Sequence, residues 1–195
     1  MSVVVAKKTA KGFVVGCDTI VTHGQVKGNF TKIFRNKKND DIICGVVGSV
    51  RDFNIFSVMD DILDAVAIRR EILDTESVIS STIKKIKTTL KEEGRVGATK
   101  GDGECMQSSI IIAYKDKCWV IDHDFSVMEV DDFAAIGAPS EFALGAYEVI
   151  SEDTKMSDKD KAIKVIKACI NKTIYVDYPI YIASTEDKSF EKVEK

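Results

Sequence analysis

A chain of 195 residues, 45% apolar and 30% charged, holds enough apolar material for one buried core and is not disordered. Its formal net charge of −3, with lysines and acids interspersed, offers nucleic acid no basic face. No apolar run approaches the roughly 20 residues that span a bilayer, and MSVVVAKKTAKG lacks the basic, apolar and small-residue succession of a secretory signal. Cys17, Cys44, Cys105, Cys118 and Cys169 show no metal-ligand spacing. An odd number of cysteines set in apolar runs reads as reduced, buried thiols in a cytoplasmic chain, with no cofactor or metal required.

The first fifty residues carry strand signals. Val3-Val4-Val5-Ala6 is a β-branched run, and the turn-like residues 7–11 separate it from Gly12-Phe13-Val14-Val15-Gly16-Cys17. Residues 31–35 and 41–47 form two more runs across a polar turn, so hairpins and an antiparallel sheet are expected. The period then lengthens: Phe53, Phe56, Met59, Leu63, Val66 and Ile68 mark a helix over 50–70. A second helix is expected over 75–93, capped by Thr75 and ended by Gly94, and the glycine-rich residues 94–104 read as a loop. Strands return at 108–114, 118–121 and 133–136, helices at 140–151 and 158–171 with Ser157 as a cap, and a last strand at 180–184. The charged residues 185–195 read as a frayed tail. Blocks of strands alternating with pairs of helices predict a layered α+β domain over 1–195, not a parallel βαβ series.

Four local motifs stand in order along this pattern. They are Gly12-Phe-Val-Val-Gly-Cys-Asp18, Lys27-Gly-Asn-Phe-Thr-Lys-Ile33, Cys44-Gly-Val-Val-Gly-Ser-Val-Arg-Asp52 and Ala135-Ile-Gly-Ala-Pro-Ser-Glu-Phe-Ala-Leu-Gly145. With their order and spacing, the sequence resembles proteasome β-subunits and, more closely, HslV-type peptidases and their phage relatives, from Ser2 to about Tyr175. These are N-terminal-nucleophile (Ntn) hydrolases. The resemblance implies a four-layer αββα sandwich of two antiparallel sheets flanked by helices. It implies a polypeptide substrate, a homo-oligomeric ring and service by an AAA+ unfoldase, with neither nucleic acid nor membrane involved.

The family's nucleophile lies sixteen positions before the aspartate of the first motif, which places it at Ser2 here. Removal of Met1 would free the Ser2 amine. A serine hydroxyl needs a base, and an α-amino group, with a reference pKa of about 7.7–8.0, can take its proton directly or through water. By the same resemblance Lys32 sits beside Ser2, lowering the amine pKa and favouring the ionised hydroxyl, while Asp18 keeps Lys32 charged. The Gly48 N–H, at a helix start, would bind the oxyanion.

Plainer readings stand beside these. Ser2 is also an ordinary second residue, Asp18 and Lys32 could be surface charges, and Gly45 and Gly48 could be turn residues. His23 and His123 show no catalytic partners in sequence, and Asp122-His123-Asp124 reads as a turn, not a metal site. Departures from the family pattern are Ala138 and Asn171, where serine and aspartate are usual, Ile174, a shortened interval between Asp18 and Lys32, and serine in place of threonine as nucleophile. Two other functions therefore remain open: a catalytically silent assembly subunit, and a non-proteolytic Ntn amidohydrolase or acyltransferase.

Overall fold

The computed structural model describes residues 2–23, 26–99 and 103–195. The chain begins with strands β1 (Val3–Lys8), β2 (Phe13–Cys17), β3 (Ile20–His23), β4 (Val26–Asn29), β5 (Ile33–Arg35) and β6 (Ile42–Gly48). Helices α1 (Val50–Val58), α2 (Ala65–Arg69), α3 (Thr75–Ser77) and α4 (Ile83–Glu92) follow, with a π-helical turn, Val78–Thr82, joining the last two. Then come β7 (Gly97–Thr99), β8 (Gly103–Cys105), β9 (Ser108–Tyr114), β10 (Lys117–Ile121), β11 (Val127–Glu129) and β12 (Phe133–Gly137). Helices α5 (Ser140–Ile150) and α6 (Asp158–Lys172) precede β13 (Ile180–Ser184) and β14 (Phe190–Val193).

Two five-stranded sheets stack, ordered β12-β1-β2-β13-β14 and β11-β10-β9-β6-β5, and every strand pairing among the described residues is antiparallel. The strands alternate with period two, which produces three apolar layers. Val4, Ala6, Phe13, Val15 and Cys17 face Ile43, Val47, Ile111 and Ala113 between the sheets. From the same strands, Val3, Val5 and Val14 point the other way, onto Ala162, Val165, Ile166 and Cys169 of α6. On the second sheet Ile42, Cys44, Ile110, Ile112 and Trp119 turn outward against Phe56, Ile86 and Leu90. The result is the expected αββα sandwich. No helix among the described residues is long and apolar enough to cross a membrane.

Several boundaries differ from the sequence reading. The helix expected over 50–70 stops at Val58, because the Met59 carbonyl accepts from Asn36 Nδ2 at 2.6 Å and Met59 turns extended. Ile62 and Leu63 remain buried in the turn that follows, and the Asp64 carboxylate starts α2 by accepting from Val66 and Ala67. The apolar stripe is thus largely internal: Phe53, Phe56, Met59 and Leu63 are buried, and Val66 is exposed. Asp74, not Thr75, caps the next helix, through a reciprocal bond with Ser77. The segments before Lys32 and after Gly94 contain the hairpins β3–β4 and β7–β8; residues 24–25 and 100–102 lie outside the described residues. The tail read as frayed instead supplies β14, whose Phe190 packs its ring 5.6 Å from that of Tyr181 on β13.

Candidate active site

The site forms where β1 begins. Asp18, just past β2, is fully buried, and its carboxylate accepts the Val3 amide at 2.9 Å and the Ile20 amide at 3.0 Å. The Asp18 amide in turn donates to the Val3 carbonyl at 3.3 Å. One buried side chain therefore locks the residue that follows Ser2. Lys32 reaches the same carboxylate at 2.8 Å and donates to the Asp18 carbonyl at 3.2 Å. Its own carbonyl accepts the Val46 amide at 2.9 Å, which ties it to β6. Burial pushes the Asp18 carboxyl up and the Lys32 ammonium down from their ordinary values, and their mutual contact opposes both shifts. Burial also pushes the neighbouring Cys17 thiol up to about 11, against the pull of Lys32, so this thiol stays protonated at neutral pH.

Two glycines shape the surroundings of Ser2. Gly48 closes β6 with φ +112°, and a Cβ there would lie 2.2 Å from the Gln107 carbonyl oxygen. Gly137 closes β12 with φ +106°, and a Cβ there would lie 2.0 Å from the Ser2 carbonyl oxygen. Both conformations exclude a side chain on two counts, torsion and space. Ser2 and Gly48 together border two cavities. The smaller, about 100 Å³, is walled by Ile20, Val21, Phe30, Val46, Val50 and Phe53 and includes Lys32. The larger, about 500 Å³, is lined by Gln107, Ser109, Asp122, His123, Ala138 and Ser140.

The structure thus brings together Ser2, Asp18, Lys32 and Gly48. His123 lies in the wall of the larger cavity, where its ring Nδ1 is 3.1 Å from Asp122, which also accepts from Ser109 at 2.7 Å. Asp122 and Asp124 make turn contacts with Phe125 and Ser126. Ala138 faces the larger cavity, whereas Asn171 and Ile174 are exposed and border neither one. A second polar group was not apparent from the sequence. Asp52, fully buried on α1, accepts from Arg95 Nε at 2.7 Å and from the Ser108 hydroxyl at 2.8 Å. Asp52 closes one of the recognised motifs, but Arg95 sits in a stretch whose glycines read only as loop.

Comparison with known proteins decides the family. The sequence matches the proteasome subunit family over residues 2–179. The chain belongs to that family. No curated protein matches it. Among solved structures, this proteasome-family chain superposes on Thiobacillus denitrificans BPH with a TM-score of 0.76 at 18% identity, covering 100% of this chain and 99% of that one. The Thiobacillus denitrificans BPH complex with epoxomicin gives 0.71 at 17% identity, covering 100% of both chains. HslV from Trypanosoma brucei gives 0.71 at 16% identity, covering 93% and 98%. At these identities the likeness is one of fold.

Proposed function

We propose that this proteasome-family chain is an N-terminal-nucleophile peptidase whose nucleophile is Ser2, exposed by removal of Met1. The observation that carries this reading is the double use of Asp18, which holds the Val3 amide and Lys32 on one carboxylate. That arrangement fixes residue 2 between two cavities, with a cation close by. The freed amine takes the hydroxyl proton, and Ser2 Oγ attacks the peptide carbonyl carbon. The oxyanion is bound at the Gly48 N–H. As the C–N bond breaks, the proton passes to the leaving amine and an ester remains on Ser2. Water then attacks the ester and restores the hydroxyl. Lys32 stabilises the negative charge of the attacking oxygen, and the apolar wall of the smaller cavity seats a side chain of the substrate.

The silent-subunit alternative draws on Ala138, which places a methyl group where a hydroxyl is usual. Against it stands the buried Asp18–Lys32 pair, since two buried charges cost desolvation that a scaffold could avoid with apolar residues. We infer from the family resemblance a homo-oligomeric ring as the working form, with polypeptide as substrate and an AAA+ unfoldase as the candidate partner that feeds it.

The test is intact mass of the purified chain before and after incubation with epoxomicin, the ligand of the Thiobacillus complex. Loss of Met1 and gain of one inhibitor mass are expected, with no gain in Ser2→Ala. Retained Met1 would rule out the mechanism, and labelling that survives Ser2→Ala would place the nucleophile elsewhere.

A further inference from the structure

The Gly48 turn is held from behind by a polar cluster that provides neither the nucleophile, the base nor the oxyanion donor of the proposed reaction. Strand pairing sets Gly48 opposite Ser108, and the Ser108 hydroxyl accepts the Ser49 amide at 3.1 Å. That hydroxyl spends its own proton on Asp52 Oδ2. The other Asp52 oxygen takes Arg95 Nε, while Arg95 NH2 donates to Ser49 Oγ at 2.8 Å and to Gln107 Oε1 at 2.9 Å. Rotation of the Ser49 peptide would break its bond to the Ser108 hydroxyl, which is itself held by a charge-assisted bond to the Asp52 carboxylate. Ser49 borders the smaller cavity and Gln107 the larger, so one guanidinium braces both walls. Gly48 needs that bracing because its positive φ is among the torsions most open to a glycine, which resists rotation least.

We propose that Asp52, Arg95 and Ser108 are positioning residues for the Gly48–Ser49 turn and set the rate of the reaction at Ser2. The inference rests on the Ser2 peptidase reading. Removing the Ser108 hydroxyl frees the Ser49 amide and lets the adjoining peptide, which carries the Gly48 N–H, leave the oxyanion's position. An interaction made only in the transition state lowers kcat and leaves KM unchanged. Loss of one whole oxyanion donor costs roughly 10²–10³-fold, so misplacing it should cost on the order of 10-fold or more.

The experiment compares wild type with Ser108→Ala and Arg95→Lys, using a fluorogenic peptide and amide hydrogen exchange at Ser49. The expected result is faster Ser49 exchange in Ser108→Ala, with kcat about 10-fold lower and KM within about twofold in both variants. Lysine keeps the charge but cannot span three acceptors, so Arg95→Lys carries the comparison if Ser108→Ala fails to fold. Unchanged kcat in a variant of an active wild type overturns this inference and leaves the peptidase reading intact, as does a rise in KM alone. An inactive wild type with a free Ser2 amine overturns both.

Discussion

At the scale of single residues, the site depends on a charge pair that is expensive to leave half-made. Asp18 is fully buried and carries three ligands: two amides and the Lys32 ammonium. Lys32→Met would leave that carboxylate with the amides alone, and breaking a buried pair from one side typically costs about 3–5 kcal/mol. Urea unfolding should show a loss of unfolding free energy of that size, together with loss of peptidase activity. A variant that keeps its stability would contradict the assignment of Asp18 and Lys32 as a buried ion pair that is costly to break from one side. Much of this site was legible in sequence, since the interval from Ser2 to Asp18 and the Lys32 motif are matters of spacing. What spacing does not carry is bonding. That Asp18 binds Val3 through its carboxylate, and that Arg95 crosses from the helical layer to Ser49, depends on a fold that brings distant segments together.

At the scale of elements, β1 links the site to the helices on the far side of its sheet. Ser2 precedes it, and Lys7 near its end is buried against Asp132, with Asp158 of α6 3.7 Å away and the Tyr147 hydroxyl of α5 donating to Asp132. Partial burial alone would raise the Asp132 carboxyl, but hydrogen bonds from Lys7 and Tyr147 outweigh it and hold the carboxyl below its ordinary 3.8. Burial would lower Lys7, and the bond and charge of Asp132 carry it above its ordinary 10.5. The folded chain therefore binds the Asp132 proton more weakly than the unfolded chain and the Lys7 proton more tightly. The clamp's contribution is present above the unfolded carboxylate value and is lost as pH falls through the folded one. It is likewise present below the unfolded lysine value and is lost as pH rises through the folded one. The stability difference between wild type and Asp132→Asn should be level between about pH 5 and 9 and shrink at both extremes. A difference that widens below pH 4 would contradict this assignment. The same strand shows why element reading succeeds unevenly. The alternation Val3–Val5 against Val4–Ala6 is a direct record of two buried faces. Short strands such as β3 and β7 carry no such alternation, and an interrupted helix such as α1–α2 keeps its apolar spacing through a turn stabilised by Asn36.

At the scale of the whole molecule, the proposed nucleophile Ser2, with cavities on both sides, calls for enclosure. The apolar stripe read over residues 50–70 is mostly consumed in the core, Val66 of α2 excepted, because the turn after α1 folds Ile62 and Leu63 back onto the sheet. Other apolar side chains are left uncovered, on the flanks of α5. On α5, between the site's Gly137 turn and the Lys7 clamp, Phe142 is 55% exposed, Leu144 48% and Val149 85%, and these lie on a helix whose Ala143 and Tyr147 are buried. Single exposed apolar residues need no explanation, but several on one helix beside the active site fit a covered surface. A closed ring, or two rings stacked through this helix, would bury them and screen Ser2 from folded proteins in the same step. Light scattering at micromolar concentration should therefore give a mass several times the 21.5 kDa of one chain. The double variant Leu144→Glu, Val149→Glu should lower that mass while leaving the secondary structure by circular dichroism unchanged, since neither side chain is part of the core. A concentration-independent species near 21.5 kDa for the wild type would refute the ring. An assembly unaffected by the double variant would move the interface to another face and leave α5 open to solvent.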